Sequence, residues 1–319
     1  MTAPWKLAAL LMLPGIALAQ PYPSKPIRLI VTFATGGGTD LVARTVAPRL
    51  AEALGQPIVI ENRAGANGAI GVEAVARAAP DGYTLAVGAA GTLVVAPHLG
   101  QKLPFDTFKD LTPVALMVTS PFIVTVNPAV KAKSVAELIA LAKSGARLNV
   151  GSSGVGGAPH LAAEFFKSLA GVEMEHVAYK GLGPAITDLL GGQIQVIFAD
   201  VGLVSGHIKS GRLSGLAVTG ATRSSAVPEL PTVAEAGLAG YAAGTWYGVL
   251  APAGTPATIV ARLNEEIRRV QALPEVRNAL VAQGVEPALT TPEQFGGFMR
   301  DENAKWSRVI RNAGIKLEP

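Results

Sequence analysis

Residues 27–54 read IRLIVTFATGGGTDLVARTVAPRLAEAL, and their order decides the fold. Ile27 to Phe33 is a short apolar run rich in branched side chains, the composition of a buried strand. Thr35 to Asp40 is a glycine turn. From Leu41 to Leu54 the apolar residues Val42, Val46, Leu50 and Ala53 recur at helical spacing, and Gly55 stops the helix. Strand, glycine turn and helix in that order form the opening half of a strand-helix-strand unit.

The unit recurs. Strand Ile58 to Glu61 leads to helix Ala69 to Ala78, and the turn Pro80-Asp81-Gly82 leads to strand Tyr83 to Gly88. A second series begins at Ser134, where Ser134 and Glu137 make a capping box for a helix through Lys143. Strand Leu148 to Gly151, helix His160 to Ala170, strand Met174 to Tyr179, helix Pro184 to Leu190 and strand Gln193 to Ala199 follow. Such alternation predicts α/β architecture, with parallel sheets covered by helices on both faces.

Two extended apolar stretches, Val114 to Val126 (broken at Ser120-Pro121) and Tyr241 to Leu250, read as connections between the two series. After Pro256 the pattern is helical: Ala257 to Gln271, Pro274 to Ala282 and Pro292 to Asn312. Two α/β lobes joined by two crossover segments result, with lobe I at residues 20–120 plus 246–319 and lobe II at 121–245. That is a hinge geometry.

Residues 1–19 carry one charge, Lys6, then an apolar run from Leu7 ending in Ala17-Leu18-Ala19. This predicts a secretory signal cleaved near Ala19, hence an exported protein. The chain has no cysteine, which excludes disulfides, zinc-thiolate sites and a cysteine nucleophile. It holds 27 Lys and Arg against 23 Asp and Glu, with few aromatics and no polybasic run. That balance argues against nucleic acid and slightly favours an anionic ligand.

Ligands of open α/β sheets bind beyond the carboxyl ends of the strands. One half offers Thr35-Gly36-Gly37-Gly38-Thr39-Asp40 and Ala89-Ala90-Gly91-Thr92 there. The other offers Ser152 to His160, Tyr179-Lys180-Gly181 and Asp200. Glycine turns opening helices present bare amides and the positive end of the helix dipole, which suits a carboxylate. Asp200 reads equally as a receptor for a ligand hydroxyl or amine and as a helix cap; Ser152 and Ser153 as anion donors or as turn residues; His160 as a helix-opening structural residue. Trp246 and Tyr247 could wall the cleft, although core packing is the default for such a pair. Enzyme motifs fail: Gly36-x-Gly38 lacks a third glycine, since Leu41 stands there, and no nucleophile-base pair or metal-ligand spacing occurs. We therefore expect a non-enzymatic protein with no cofactor and no metal site.

The runs Tyr22-Pro23-Ser24-Lys25-Pro26, Glu61-Asn62-Arg63-Ala64-Gly65, Ala79-Pro80-Asp81-Gly82-Tyr83, Leu189-Leu190-Gly191-Gly192-Gln193, Leu230-Pro231-Thr232-Val233 and Ala251-Pro252-Ala253-Gly254-Thr255 together resemble the Bug family, the TctC-like substrate-binding proteins of tripartite tricarboxylate transporters. The resemblance implies a type II periplasmic-binding-protein fold and a small carboxylate held between the lobes. It also implies a monomer that delivers its ligand to integral-membrane permease subunits, one large and one small. Carried over by position, it assigns ligand binding to Thr35, Gly36, Gly37, Asp40, Ala89, Thr92, Ser153, His160 and Asp200. The alternative reading keeps the fold and makes the protein an occupancy sensor for a membrane partner. The family's usual Pro-Phe-Pro-Pro-Gly-Gly turn is Thr32-Phe33-Ala34-Thr35-Gly36-Gly37 here, and Leu93 replaces a frequent histidine, so the identity of the carboxylate does not follow.

Overall fold

A computed structural model describes residues 22–316; the signal read at residues 1–19 lies outside them. The strand Ile27–Val31 (β1) runs into the helix Gly38–Leu54 (α1), then come Ile58–Asn62 (β2), Ala69–Ala76 (α2) and Thr84–Ala89 (β3). Strands Leu111–Ser120 (β4) and Phe122–Val126 (β5) follow in near succession, then the helix Val135–Lys143 (α3). The second series continues as Asn149–Ser152 (β6), Ala158–Ala170 (α4), Glu175–Ala178 (β7), Leu182–Leu190 (α5), Val196–Asp200 (β8), Val201–Lys209 (α6) and Ser214–Val218 (β9). The chain closes with Thr245–Pro252 (β10), Ala257–Gln271 (α7), Pro274–Ala282 (α8), Glu286–Pro287 (β11) and Pro292–Ala313 (α9).

Two sheets form, in the orders β11-β4-β10-β3-β1-β2 and β7-β6-β8-β5-β9. The expectation of parallel pairing holds for β1 with β2 and β3, and for β6 with β7 and β8. It fails for the crossover strands. β10 is antiparallel to β3 and β4, and β5 is antiparallel to β8 and β9. The reason lies in the route of the chain: β4 ends at Ser120, and after Pro121 β5 begins at Phe122, which pairs with Asp200 at the end of β8. A strand that enters a sheet at the carboxyl edge of its neighbour runs against that neighbour.

The same route fixes how the sheets stand. Thr245, the first residue of β10, pairs with Ser120, the last of β4, and Tyr247 pairs with Ala89, the last of β3. Both crossings therefore join the carboxyl edge of one sheet to the carboxyl edge of the other. The loops that follow β1, β2 and β3 and those that follow β6, β7 and β8 lie on these joined edges, where ligands of such sheets bind.

Apolar burial explains why the helices lie where they do. One face of the first sheet packs Leu29, Val31 and Met117 against Val42, Val46 and Leu50 of α1 and Leu263 and Ile267 of α7. A face of the second packs Ile197 and Ala199 against Ala185 and Leu189 of α5. A third cluster spans both halves, with Ile30, Leu93 and Trp246 from the first and Phe166 and Phe198 from the second. Helix α9 joins them: Phe295 packs edge-on to Trp246 at 5.6 Å, and Trp306 to Phe165 of α4 at 6.4 Å.

Candidate functional site

Each half opens a long helix with a glycine turn of the same construction. In the first, Gly36 has φ +84°, Gly37 donates to the Ala34 carbonyl at 3.2 Å, and the side chain of Asp40 reaches back to accept from the Gly36 amide at 2.9 Å. In the second, Gly156 has φ +74°, Gly157 donates to the Gly154 carbonyl at 3.3 Å, and His160 accepts from the Gly156 amide through Nδ1 at 3.0 Å. Glycine at Gly36 and Gly156 answers a left-handed backbone that other residues rarely adopt. Beyond each turn the first helical amides, those of Gly38, Thr39 and Asp40 in α1 and of Ala158 and His160 in α4, have no hydrogen-bond partner among the described residues. They point toward the joined edges, with the helix dipoles behind them.

The side chains beneath these turns are committed to holding them. Asp40 is buried and also accepts from Arg44 Nε and Asn62 Nδ2, each at 2.9 Å. The Arg44 guanidinium foremost, with the Gly36 and Asn62 donors, holds its carboxyl down at about 2 against the opposing pull of burial. His160 is likewise buried and stacks on His176 with ring centroids 3.7 Å apart. Because its Nδ1 accepts, its proton sits on Nε2, which faces Glu164 at 3.6 Å. His176 in turn bonds Ser152 Oγ at 2.7 Å; burial foremost, and then the His160 ring, pull it down to about 4.

The remaining residues assigned from the sequence divide in two. Thr35 and Gly36 are exposed at the near turn, Gly37 is half-buried as the helix cap, and Ser153 is half-buried at the far turn, its carbonyl accepting from Gly181 at 3.3 Å. Ala89 and Thr92 are buried. The Thr92 hydroxyl donates to the Asn67 carbonyl at 2.5 Å, and it stands 2.6 Å from where a Cβ on Gly68 would be, with the Phe33 ring at 3.1 Å from the same point. The loops after β1, β2 and β3 thus meet around Gly68, and the structure brings Thr92 to them as a support from beneath. Asp200 is half-buried at the end of β8 and makes no capping bond to α6.

Two residues escaped the sequence reading, and a third was offered there only as one of an aromatic pair. Asn62 ties the near turn by donating to Asp40 and to the Phe33 carbonyl. Asn67 sits, like Ala66 before it, at a positive φ of +53° without being glycine, and such strain concentrates where a site needs it. Tyr247 is the third: its hydroxyl would lie 2.6 Å from a Cβ on Gly38, so it stands at the N-terminus of α1. The Trp246-Tyr247 pair splits, with Trp246 in the core and Tyr247 half-buried at the cleft. An alternating strand places neighbours on opposite faces, a signal already present in the sequence. Burial, and next the charge of Asp200, push the Tyr247 hydroxyl up to about 12.

The two halves also touch away from these turns. Glu286 of β11 accepts from Ser224 Oγ at 2.8 Å, the Ser225 amide at 2.7 Å and Ser225 Oγ at 3.1 Å. Beside this contact a cavity of about 230 Å³ is lined by Ser120, Pro121, Gly244, Trp246 and Lys305, directly against the crossings.

Comparison with known proteins agrees with this architecture. The family model described as "Tripartite tricarboxylate transporter family receptor" matches residues 42–315. The Bordetella pertussis protein BugT is 39% identical over 302 residues, covering 94% of this chain and 93% of BugT. A protein of R. palustris solved with adipate is 35% identical with a TM-score of 0.75, over 92% of this chain and 99% of that one. A TctC solute-binding protein from Polaromonas, solved with no ligand, is 33% identical with a TM-score of 0.84, over 91% and 99%.

Proposed function

The chain belongs to the tripartite tricarboxylate transporter receptor family, and from that premise we propose that it captures a small carboxylate between two lobes in the periplasm and delivers it to a membrane permease of one large and one small subunit. It is a binding receptor and not an enzyme. The proposed lobes are residues 20–120 with 246–319, and residues 121–245, after cleavage of a signal near Ala19.

The observation that carries the reading is the pair of like-built turns, Gly36-Asp40 and Gly156-His160, each opening a helix on one of two joined sheet edges with unpartnered amides in front. A carboxylate between them satisfies amides from both sides and the positive ends of two dipoles, without a cation. Thr35, Gly36, Gly37 and Ser153 would touch the ligand or its water. Asp40, His160, Ala89 and Thr92 would shape the turns from beneath, and Asp200 would meet the ligand from the far half.

The lobes are proposed to stand apart here and to close on the ligand by rotation about Ser120-Pro121 and Gly244. The higher TM-score to the ligand-free relative than to the adipate-bound one, at similar identity, supports that state. A thermal-shift screen over a broad panel of carboxylates, followed by calorimetry, tests the function. A ligand at about a thousand times its Kd adds roughly 4 kcal/mol of stability. If no acid of the panel moves Tm, the carboxylate reading fails. Loss of uptake on deletion of the partner permease genes tests delivery.

A further inference from the structure

We infer that the ligand of this site is a carboxylate bearing a hydrogen-bond donor, a hydroxyl or an ammonium group, at its far end and no second carboxylate there. The inference rests on the reading of the site as a carboxylate receptor and narrows the class of acid it takes.

The two ends of the site differ in chemistry. At the near end are the unpartnered amides of Gly38, Thr39 and Asp40, donors that want an anion. The Tyr247 hydroxyl stands over Gly38, and Asp200 lies across the crossing from it, paired with Phe122 just beyond the Ser120–Thr245 pair that opens Tyr247's own strand. Asp200 is half-buried, and its carboxyl forms no hydrogen bond or ion pair among the described residues. Burial pushes its carboxyl up.

Closure of the proposed lobes would take this half-buried carboxyl out of water without the donors that the protein gives its buried carboxylates. Asp40 has Arg44, Asn62 and the Gly36 amide. Glu266 lies between Arg262 and Arg269, and Glu302 takes two indole donors and Lys305. An ionised carboxyl accepts at four positions and donates at none, and sequestering it without a donor is costly. A ligand donor supplies what the chain withholds. A second ligand carboxylate would instead set like charges together, which disfavours both. Lys180, the cation of the far loops, is exposed and makes no ion pair with Asp200.

The test is calorimetry near pH 8 on the full mature protein with two matched series: adipate with its ω-hydroxy and ω-amino monocarboxylate analogues, and succinate with its own. At the length that binds, the hydroxy or amino acid should bind at least tenfold tighter than the dicarboxylate. Asp200→Asn should reduce that preference below threefold with Tm unchanged, since Asp200 makes no capping bond that the substitution would break. A dicarboxylate that binds as tightly or tighter overturns the inference and leaves the carboxylate receptor standing. So does an Asp200→Asn protein with an unchanged preference. If no acid of either series binds and the broad panel is also silent, the receptor reading falls and takes this one with it.

Discussion

Asp40 and His160 do one job with opposite chemistry, since each reaches back four residues to hold a glycine amide and leaves the next amides bare. Asp40 does it as a carboxylate, so its contribution depends on pH. Its folded pKa is depressed to about 2 from about 3.9 in an unfolded chain. The stability it adds is complete above the unfolded value and is lost as pH falls through the folded one. Asp40→Asn should therefore cost about 2 kcal/mol at neutral pH, by loss of charge-assisted bonds to a buried group. In urea melts the gap from wild type should close as the pH approaches 2; a gap constant with pH would refute the electrostatic account. The sequence announces the glycines and their turn, because a strand that breaks into Gly36-Gly37-Gly38 has few other uses. It does not announce that Asp40 lies under the turn, bonded to Gly36, Arg44 and Asn62. That depends on Arg44 and Asn62 arriving from a helix face and a neighbouring strand.

Elements were most legible where local chemistry and burial agree. Helices α7 and α8 run from Ala257 to Gln271 and from Pro274 to Ala282, the expected bounds, because proline at or beside the first turn and a clear apolar face leave little choice. At Ser134 the expected capping box is half formed: Ser134 Oγ accepts from the Glu137 amide, but the Glu137 carboxylate takes the Lys133 amide. The complete box is at Thr291 and Gln294. Helix α6 and strand β9 went unread, since Val201–Lys209 contains two glycines, which weaken a helical pattern, and its helix is held by packing of Val201, Val204 and Ile208 on the sheet. The antiparallel crossings were equally out of reach, being a consequence of route and not of composition. Gly248 on β10 tests element packing, because an added Cβ would run into the Phe295 ring of α9. Gly248→Ala should destabilise by about 1–3 kcal/mol as an overpacked core position, seen as a lower Tm. An unchanged Tm would mean that α9 yields freely.

At the scale of the molecule the question is what moves. Small-angle scattering should show a smaller radius of gyration on saturation with a ligand found in the acid screen, as the lobes close; no change would refute closure. Glu286→Ala should lower stability by about 1–3 kcal/mol, since it leaves the buried Ser224 hydroxyl without its acceptor, while the compaction on ligand survives. Loss of the compaction would show that the contact transmits closure as well as holding the halves.

The place of that contact has a mechanical consequence. Three bonds from one carboxylate to Ser224 and Ser225 fasten the halves beside the crossings, and a swing that carried the serines away would strip all three at once. The pivot must then run close to Glu286, as a pin runs through a clasp. Travel grows with distance from such a pin, so in the proposed closure the mouth would sweep widest while the glycine turns rotate into facing register, and the back of the molecule would stay almost still.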